Sequence, residues 1–478
     1  MSDDHTRKSS NLLIFVVCLA QFMVILDISI VNVALPRIHD SLDFSETGLQ
    51  WVVNAYTLAF AGFLMLGGRA NDLIGRRKVF LVGVGLFSVA SLGCAVADSQ
   101  AALIVARTIQ GLGAAVISPA SLAILTASFA EGSERNRALG IWGAMAGLGG
   151  SAGALLGGIL TQSFGWEAVF LINVPIGAAV VAAGRAVIPR HQVLAEERHF
   201  DLAGAVLISG GLTAFVFGIV RTDTLSWGSP GVLGPLLAGL AMLAAFFVVE
   251  GRVARDPLIP LHVFRMPLLR AANLIIALLF AGIFAMWFFV SLYLQQVHHD
   301  DALEAGIAFL PMTLSIAGAS TMAPRLVARF GVRPVLSVGM LMASLGLLLL
   351  SGMSADGTYA SNVLPGGVLA TLGAGSSMVP ATILAVRGVP QQESGLASGV
   401  LNTSRLAGGT IGLAVLSTIA TSQTNSKLAA GVASGAAFTD GYQVAFELGA
   451  ALCLLGAIAA VTLLRGGAVG AEAEPEPA

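Results

Sequence analysis

The chain has 478 residues, 56% of them hydrophobic and 11% charged, with a formal net charge of -2 and a mean hydropathy of +0.85. A soluble domain of ordinary composition carries about 25% charged residues, so a water-soluble fold is excluded, and the wealth of apolar residues equally excludes disorder. The charge balance offers no basic field for nucleic acid and the seven histidines are too scattered for a metal centre, so the excess hydrophobicity must face lipid.

Arg7 and Lys8 ahead of an apolar run from Leu12 have the outline of a signal peptide. The run passes Asp27 and ends at Leu35-Pro36 without a small-residue cleavage site, which predicts a retained first helix. A membrane-spanning helix needs about 20 apolar residues. Fourteen such windows follow one another near 12–34, 49–68, 79–97, 101–125, 138–160, 166–187, 202–221, 231–249, 271–294, 303–323, 334–353, 363–385, 395–420 and 443–464. Runs of this length without apolar-polar alternation exclude a β-barrel. Cys18, Cys94 and Cys453 each lie in an apolar run, without metal-ligand spacing, and read as packing residues.

Cytoplasmic loops retain Lys and Arg. With the N-terminus inside, 21 of the 25 basic residues, Arg405 among them, fall in cytoplasmic segments, Arg37, Arg221 and Lys427 fall outside, and Arg107 lies within a span. Shifting one boundary by a whole span destroys this asymmetry, so both termini are expected in the cytoplasm, in a multi-pass protein of the cytoplasmic membrane. The expected organisation is a cytoplasmic N-terminus (1–11), a six-helix bundle (12–190), two additional helices (200–250), a second six-helix bundle (265–465) and an acidic disordered tail (466–478). A faint duplication supports two equivalent halves: RANDLIGRRK from Arg69 and RLVARFGVRP from Arg325 share the spacing Arg-x5-Gly at an offset of 256 residues. Parallel repeats around a midplane site are a transporter architecture.

Charges inside a bilayer are costly and functional by default, and Asp27 and Arg107 are the two that stand well within spans. At 1.5 Å per residue Asp27 lies roughly 22 Å along the first span and Arg107 roughly 9 Å from the outer end of the fourth, so both fall at one depth in the outer half. They are expected to meet, with Asp27 as the protonatable group. Gln110 is close to the face of Arg107, whereas Asn32 points roughly 140° away from Asp27 and is expected to contact a neighbouring helix. The loop after span 2 gathers Arg69, Asp72, Arg76, Arg77 and Lys78 around Gly68 and Gly75. Its bases anchor the loop inside, and Asp72 is left to latch one conformation by pairing with an Arg or a helix N-terminus. Glycines crowd span 5, where small residues allow close helix packing. Asn54, Tyr56, Asn273, Trp287, Tyr293, Gln295, Gln296 and Asn402 are candidates to line a mostly apolar cavity. The run His298-His299-Asp300-Asp301 with Glu304 reads as a solvated outer loop.

These residues carry a resemblance. Leu26-Asp27-Ile-Ser-Ile-Val-Asn32-Val-Ala-Leu-Pro36 resembles the first-helix signature of the fourteen-span drug:proton antiporters of the major facilitator superfamily. GRANDLIGRRK from Gly68 resembles the superfamily's loop 2-3 motif, with Leu73 where an Arg is usual, and RTIQGLGAA from Arg107 resembles the helix-4 motif. Span 5 follows the antiporter motif at Gly140, Gly149, Gly153, Gly157 and Gly158 but has Ala154 where the family has Pro, which removes a helix kink. Gly165-Trp166-Glu-Ala-Val-Phe-Leu-Ile-Asn173-Val-Pro175-Ile-Gly177, Asp256-Pro-Leu-Ile-Pro260, Leu292-Tyr293-Leu-Gln-Gln296 and the Gly395 to Gly412 stretch extend it along nearly the whole chain.

The resemblance implies an all-α major facilitator fold of two six-helix bundles plus two central helices. It implies a monomeric exporter of hydrophobic or cationic small molecules by alternating access, driven by the proton gradient without cofactor or metal. In it Asp27 carries the proton, Arg107 tunes it, and the loop around Asp72 stabilises the outward-open state. One proton moving down 100 mV and one pH unit yields about 3.7 kcal/mol, but the voltage part cancels when a monovalent cation leaves in exchange. A single carboxylate therefore favours neutral or singly charged cargo over dications. Competing readings are a dedicated exporter of one natural product or lipid and, from another class, a membrane sensor or enzyme. No nucleophile-base pair, phosphate loop or metal-ligand spacing supports catalysis.

Overall fold

In a bilayer the backbone must satisfy its own N–H and C=O groups, and a chain without β alternation can do so only as helix. The computed structural model describes residues 2–129, 133–189, 201–223, 225–253, 257, 265–387, 389 and 394–464, and among them there is no strand. The long helices are α1 (Ser2–Leu42), α2 (Glu46–Ala70), α3 (Arg76–Ala95), α4 (Gln100–Ser128) and α5 (Ser133–Phe164). They continue with α6 (Ala168–Val187), α7 (Leu202–Val220), α8 (Pro230–Val248) and α9 (Pro267–Leu292). The last five are α10 (Ala302–Phe330), α11 (Val332–Leu350), α12 (Tyr359–Val386), α13 (Ser394–Ala429) and α14 (Ser434–Leu463). Twelve helices among the described residues are long and apolar enough to cross a membrane; α2 and α5, of 25 and 32 residues, pack among them. The expected acidic tail and most of the linker before α7 lie outside the described residues.

Two expectations about the helices are corrected. The first helix does not stop at Leu35-Pro36: Pro36 lies inside α1, which runs on to Leu42. A proline removes one backbone donor but does not compel a helix to end when its neighbours hold the segment. Arg405 is not in a cytoplasmic loop. It lies inside α13, which begins at Ser394, so the apolar window 395–420 that already contained it was right and assigning its charge to the cytoplasmic segment was not.

Packing follows the internal repeat. In the first half α1 packs on α5, α3 on α4, α2 on α4, and α6 on α3 and α1; in the second α9 packs on α13, α11 on α12, α10 on α12, and α14 on α11 and α9. The loops that suggested the duplication are alike in backbone and function. Gly75 (φ +98°) and Gly331 (φ +84°) take a left-handed conformation at the starts of α3 and α11, a region that costs any residue with a Cβ. Two residues beyond each stands an arginine, Arg77 and Arg333, again 256 apart. Arg77 donates to the carbonyl of Arg185 near the end of α6, and Arg333 donates to the carbonyl of Val461 near the end of α14 at 2.9 Å. Each therefore ties the third helix of its half to the unpaired carbonyls of the last.

The two halves meet through α2 against α13 and α5 against α10, while α7 packs on α8, on α2 and on α13. Thr57 and Thr410 share a buried 2.8 Å hydrogen bond across the α2–α13 contact. On the side where α1 ends, Ser291 of α9 donates to the carbonyl of Asn32 at 2.5 Å and Gln295 donates to the carbonyl of Val33 at 3.1 Å. Ile30, Val33 and Leu35 of α1 belong to the same buried apolar cluster as Met286, Phe289 and Tyr293, so the bundles are joined there by a continuous core.

Candidate functional site

The site is built where five helices of the first bundle converge. Asp27 lies in the middle of the Ser10–Leu42 stretch of α1. Arg107 lies two turns into α4, whose start is capped by Ser99 accepting from the Ala102 amide. Both side chains are sealed from solvent, at 0% and 1% exposure. Arg107 Nη1 donates to Asp27 Oδ2. Asp27 Oδ1 also accepts from Gln110 Nε2 at 2.7 Å and from Asn173 Nδ2 of α6 at 3.0 Å. Arg107 is held from the other side: Nε donates to the Val52 carbonyl of α2 at 2.8 Å and Nη1 to Gln110 Oε1 at 2.6 Å. Gln110 donates onward to Ser91 of α3 at 2.7 Å. The guanidinium lies over the rings of Tyr56 and Phe170, 4.5 and 5.6 Å from their centroids.

A buried ion pair repays its desolvation only when the remaining donors and lone pairs are also engaged. Here the carboxylate accepts from three side chains and the guanidinium has a carbonyl, an amide oxygen and two aromatic faces. The arrangement holds one carboxylate, balanced by one guanidinium, in an apolar bundle. Every helix that contributes to it has a stake in whether the carboxylate charge is present.

Other sequence candidates divide. Gln110 and Tyr56 belong to the Asp27 cluster, Tyr56 also donating to the Val24 carbonyl at 3.2 Å. Asn54 is buried and its amide donates to Gln50 within α2 at 3.2 Å. Asn32 does not use its side chain on a neighbouring helix: the amide donates to the Ile28 carbonyl of its own helix, and it is the backbone carbonyl that Ser291 reaches. Trp287 packs on Phe309 with centroids 5.2 Å apart. Tyr293 is fully buried, and its hydroxyl meets the Ser354 carbonyl, His298 and Asn362 at 2.6 to 2.9 Å, away from any open space. Gln296 accepts from Tyr442 at 2.7 Å. Asn402 is half-buried on α13. The outer run is not simply solvated: Asp301 and Glu304 form a reciprocal capping box at the start of α10.

Of the loop after α2, Asp72 falls in the π-helical turn Asn71–Gly75, but the side chains of Asp72 and Arg69 lie outside the described residues. Gly68 faces Pro119, Arg76 begins α3 and Arg77 binds α6. The antiporter-motif glycines are contact points. A Cβ on Gly149 would meet Ile25 at 2.9 Å, on Gly153 would meet Ser29 at 2.6 Å, and on Gly157 would meet the Ile30 carbonyl at 2.8 Å, so three glycines one turn apart bring α5 onto the segment of α1 around Asp27. Gly158 faces the other bundle, where its Cβ would lie 2.5 Å from the Ala302 carbonyl of α10. Gly306 answers it, 2.5 Å from the Ala154 carbonyl. The position where a proline is usual is thus an alanine whose carbonyl accepts a close inter-bundle approach.

Sequence reasoning gave no role to Asn173 or Ser91. A lone amide at the start of an apolar span was the available signal for Asn173; Ser91 carries none, since serines in spans ordinarily bond their own helix, as Ser91 also does to Phe87 at 2.8 Å. The three cysteines are buried free thiols, Cys94 beside Gln110. Among the described residues no group of three His, Cys, Asp or Glu side chains is placed to hold a metal.

Two six-helix bundles related by an internal repeat, joined along α2–α13 and α5–α10, make a membrane transporter. The chain belongs to the major facilitator superfamily, whose family description it matches over residues 17–413. It is 41% identical to the cephamycin export protein CmcT of Amycolatopsis lactamdurans, over 85% of this chain and 84% of that one. It is 38% identical to the puromycin resistance protein pur8 of Streptomyces alboniger, over 94% of this chain and 90% of that one. In fold it is similar to an auto-inhibited peptide transporter of the POT family, with a TM-score of 0.71 at 16% identity, covering 98% of this chain and 99% of that one.

Proposed function

We propose that this protein is a fourteen-span, proton-coupled exporter of hydrophobic small molecules, cationic ones included, that works as a monomer in the cytoplasmic membrane with both ends in the cytoplasm. The fourteen spans are the twelve apolar helices with α2 and α5 between them. The arginines that tie α3 and α11 to the last helix of each half then lie on the cytoplasmic side, in keeping with the retention of basic residues there. The observation that carries the coupling is the sealed Asp27–Arg107 pair, on which α1, α2, α3, α4 and α6 all close.

Protonation of Asp27 removes the charge that Arg107, Gln110 and Asn173 all address. The tie between α1 and its neighbours weakens, and α1 is the helix whose far end carries the Ser291 and Gln295 contacts to the second bundle. A proton taken up from outside thereby loosens the pair and lets the bundles change access, and its release inside restores the pair. The loop around Asp72, Arg76 and Arg77 acts at the opposite end as the latch of the outward-open state. The test is proton-driven uptake of a fluorescent cation into inverted vesicles with a pH-sensitive dye inside: cargo and protons should move in opposite directions, and cargo movement without proton movement would refute coupling. The names of the relatives favour a second reading, a dedicated exporter of one natural product. A resistance panel of unrelated compounds separates the two.

A further inference from the structure

The described part of α13 holds a charge that the coupling pair does not use. Arg405 is half-buried within the helix, its Nε is buried without a hydrogen-bond partner, and no carboxylate among the described residues pairs with it. Its one neighbour of note is the ring of Phe280 on α9, 5.4 Å from the guanidinium carbon. An aromatic face recompenses part of the lost hydration of an arginine but leaves its in-plane N–H donors unspent. By contrast Arg107 has partners for its donors and a carboxylate for its charge. The first bundle is therefore neutral at its buried pair, whereas the second carries an unbalanced positive charge.

The surroundings of Arg405 combine close helix packing with unpaired polar atoms. Gly408 and Gly412 let α13 approach Ala277 and Ala281 of α9 within what a Cβ would allow, which sets Phe280 beside the guanidinium. On α9, Asn273 lies one turn before Ala277 on that same face; it is 9% exposed and its Oδ1 has no partner. The opposite face of α13 meets the first bundle: Thr403 donates to the Ala61 carbonyl at 3.4 Å and Thr410 meets Thr57. Asn402, three residues from Arg405 and so near its face, is half-buried. The unspent donors of Arg405, its free charge and an unpaired amide oxygen thus lie on the α9 side of α13, a helix of the junction between the bundles, where an alternating-access carrier holds its cargo.

We propose that Arg405 is a cargo-binding residue that recognises an acidic group, a carboxylate, sulfonate or phosphate, on an otherwise hydrophobic molecule, with Phe280 holding the guanidinium plane toward it. A planar fork of N–H donors matches such oxyanions in two parallel hydrogen bonds, and a buried arginine with nothing to pair with is stabilised by a ligand that brings the missing charge. The assignment deepens the export reading and rests on it for the statement that the ligand is cargo.

The test uses the full-length protein in phosphatidylcholine nanodiscs and two dyes that differ only at one group: rhodamine B, which bears a carboxylate, and its ethyl ester. Fluorescence anisotropy gives a Kd for each. The wild type should bind the acid at least tenfold more tightly than the ester; Arg405→Gln should abolish that ratio, and Arg405→Lys should keep part of it. Both variants are compared by melting temperature and monodispersity, and the conservative lysine substitution keeps the test open if the glutamine variant does not fold. Equal affinity for acid and ester in the wild type, or a ratio unchanged in Arg405→Gln, overturns the proposal. Loss of the acid preference when phosphatidylglycerol replaces part of the lipid assigns the site to a lipid headgroup and overturns it as well. Because binding needs no proton gradient, an Arg405-dependent acid preference in a protein that moves neither dye would refute the export reading while leaving the anion site standing.

Discussion

Arg107 donates to Asp27 with both side chains sealed from solvent, and each is further bonded to groups on other helices. Removing one partner alone leaves an unpaired charge in an apolar bundle, a cost of roughly 3–5 kcal/mol. Removing both leaves only the amide and carbonyl partners to be satisfied. Arg107→Met should therefore lower the melting temperature sharply in detergent, and the double variant Asp27→Leu with Arg107→Met should recover much of the loss. Equal melting temperatures for single and double variants would show that the two residues are not energetically paired.

Gly153 and Gly158 are close to α1 and α10 respectively, whereas Gly150 has open space around its Cβ position. Overpacking a tight contact costs typically 1–3 kcal/mol. Gly153→Ala should destabilise by about that amount and disturb coupling through α1, while Gly158→Ala should push α5 from α10 and raise labelling of a cysteine placed at the far end of α10. Gly150→Ala is the control and should be near neutral. Equal effects at all three positions would mean that the glycines serve flexibility rather than proximity.

Gln295 and Ser291 hold the far end of α1 to α9 through two backbone carbonyls. Each hydrogen bond contributes about 1 kcal/mol, so Gln295→Leu with Ser291→Ala should move the population toward the state open on that side by roughly ten- to thirtyfold. Distances between spin labels at the end of α1 and the start of α10 read the shift directly. An unchanged distance distribution would assign the closure to the apolar core instead.

An acidic cargo exchanged for a proton moves two charges in the direction the membrane potential favours, and a monocation moves none. At 100 mV and one pH unit the driving free energy is about 6 kcal/mol for a monoanion and about 1.4 kcal/mol for a monocation. Accumulation of an acidic substrate should rise steeply when the potential is clamped more negative inside at constant pH difference. A potential-independent gradient for a monoanion would contradict one-for-one exchange.

Asp300 lies in the loop between α9 and α10, where burial pushes its carboxyl above the usual range, nearby His298 pulls it down, and Glu304 and Asp301 push it up. A carboxyl raised by folding favours the folded state below its unfolded value and loses that contribution as pH rises through the folded value. Asp300→Asn should flatten this part of the stability profile in mildly acidic buffer. The effect is small because the group is half-exposed.

Charge and spacing made much of this readable beforehand. Asp27 and Arg107 stood out because a charge amid about 20 apolar residues is costly to bury, and the depth estimate brought them near one another although it misjudged where α1 ends. The repeat at offset 256 was visible only as Arg-x5-Gly; its meaning, a left-handed glycine followed by an arginine that grips the last helix, needed backbone angles and a contact partner. Arg405 was misplaced although the apolar window 395–420 contained it, because its charge was assigned to the cytoplasmic side together with the other basic residues. Asn173 was invisible as a ligand of Asp27 because a residue 146 positions away shows nothing in sequence of the helix crossing that brings it there.

In the proposed cycle the proton rides on Asp27. Asp27→Asn keeps the shape of the side chain and two of its neighbours' hydrogen bonds while removing the titratable charge. In proteoliposomes with an imposed pH gradient, this variant should be a folded protein that binds cargo and shows no gradient-driven accumulation and no proton flux coupled to cargo. Accumulation at the wild-type rate by Asp27→Asn would contradict that cycle.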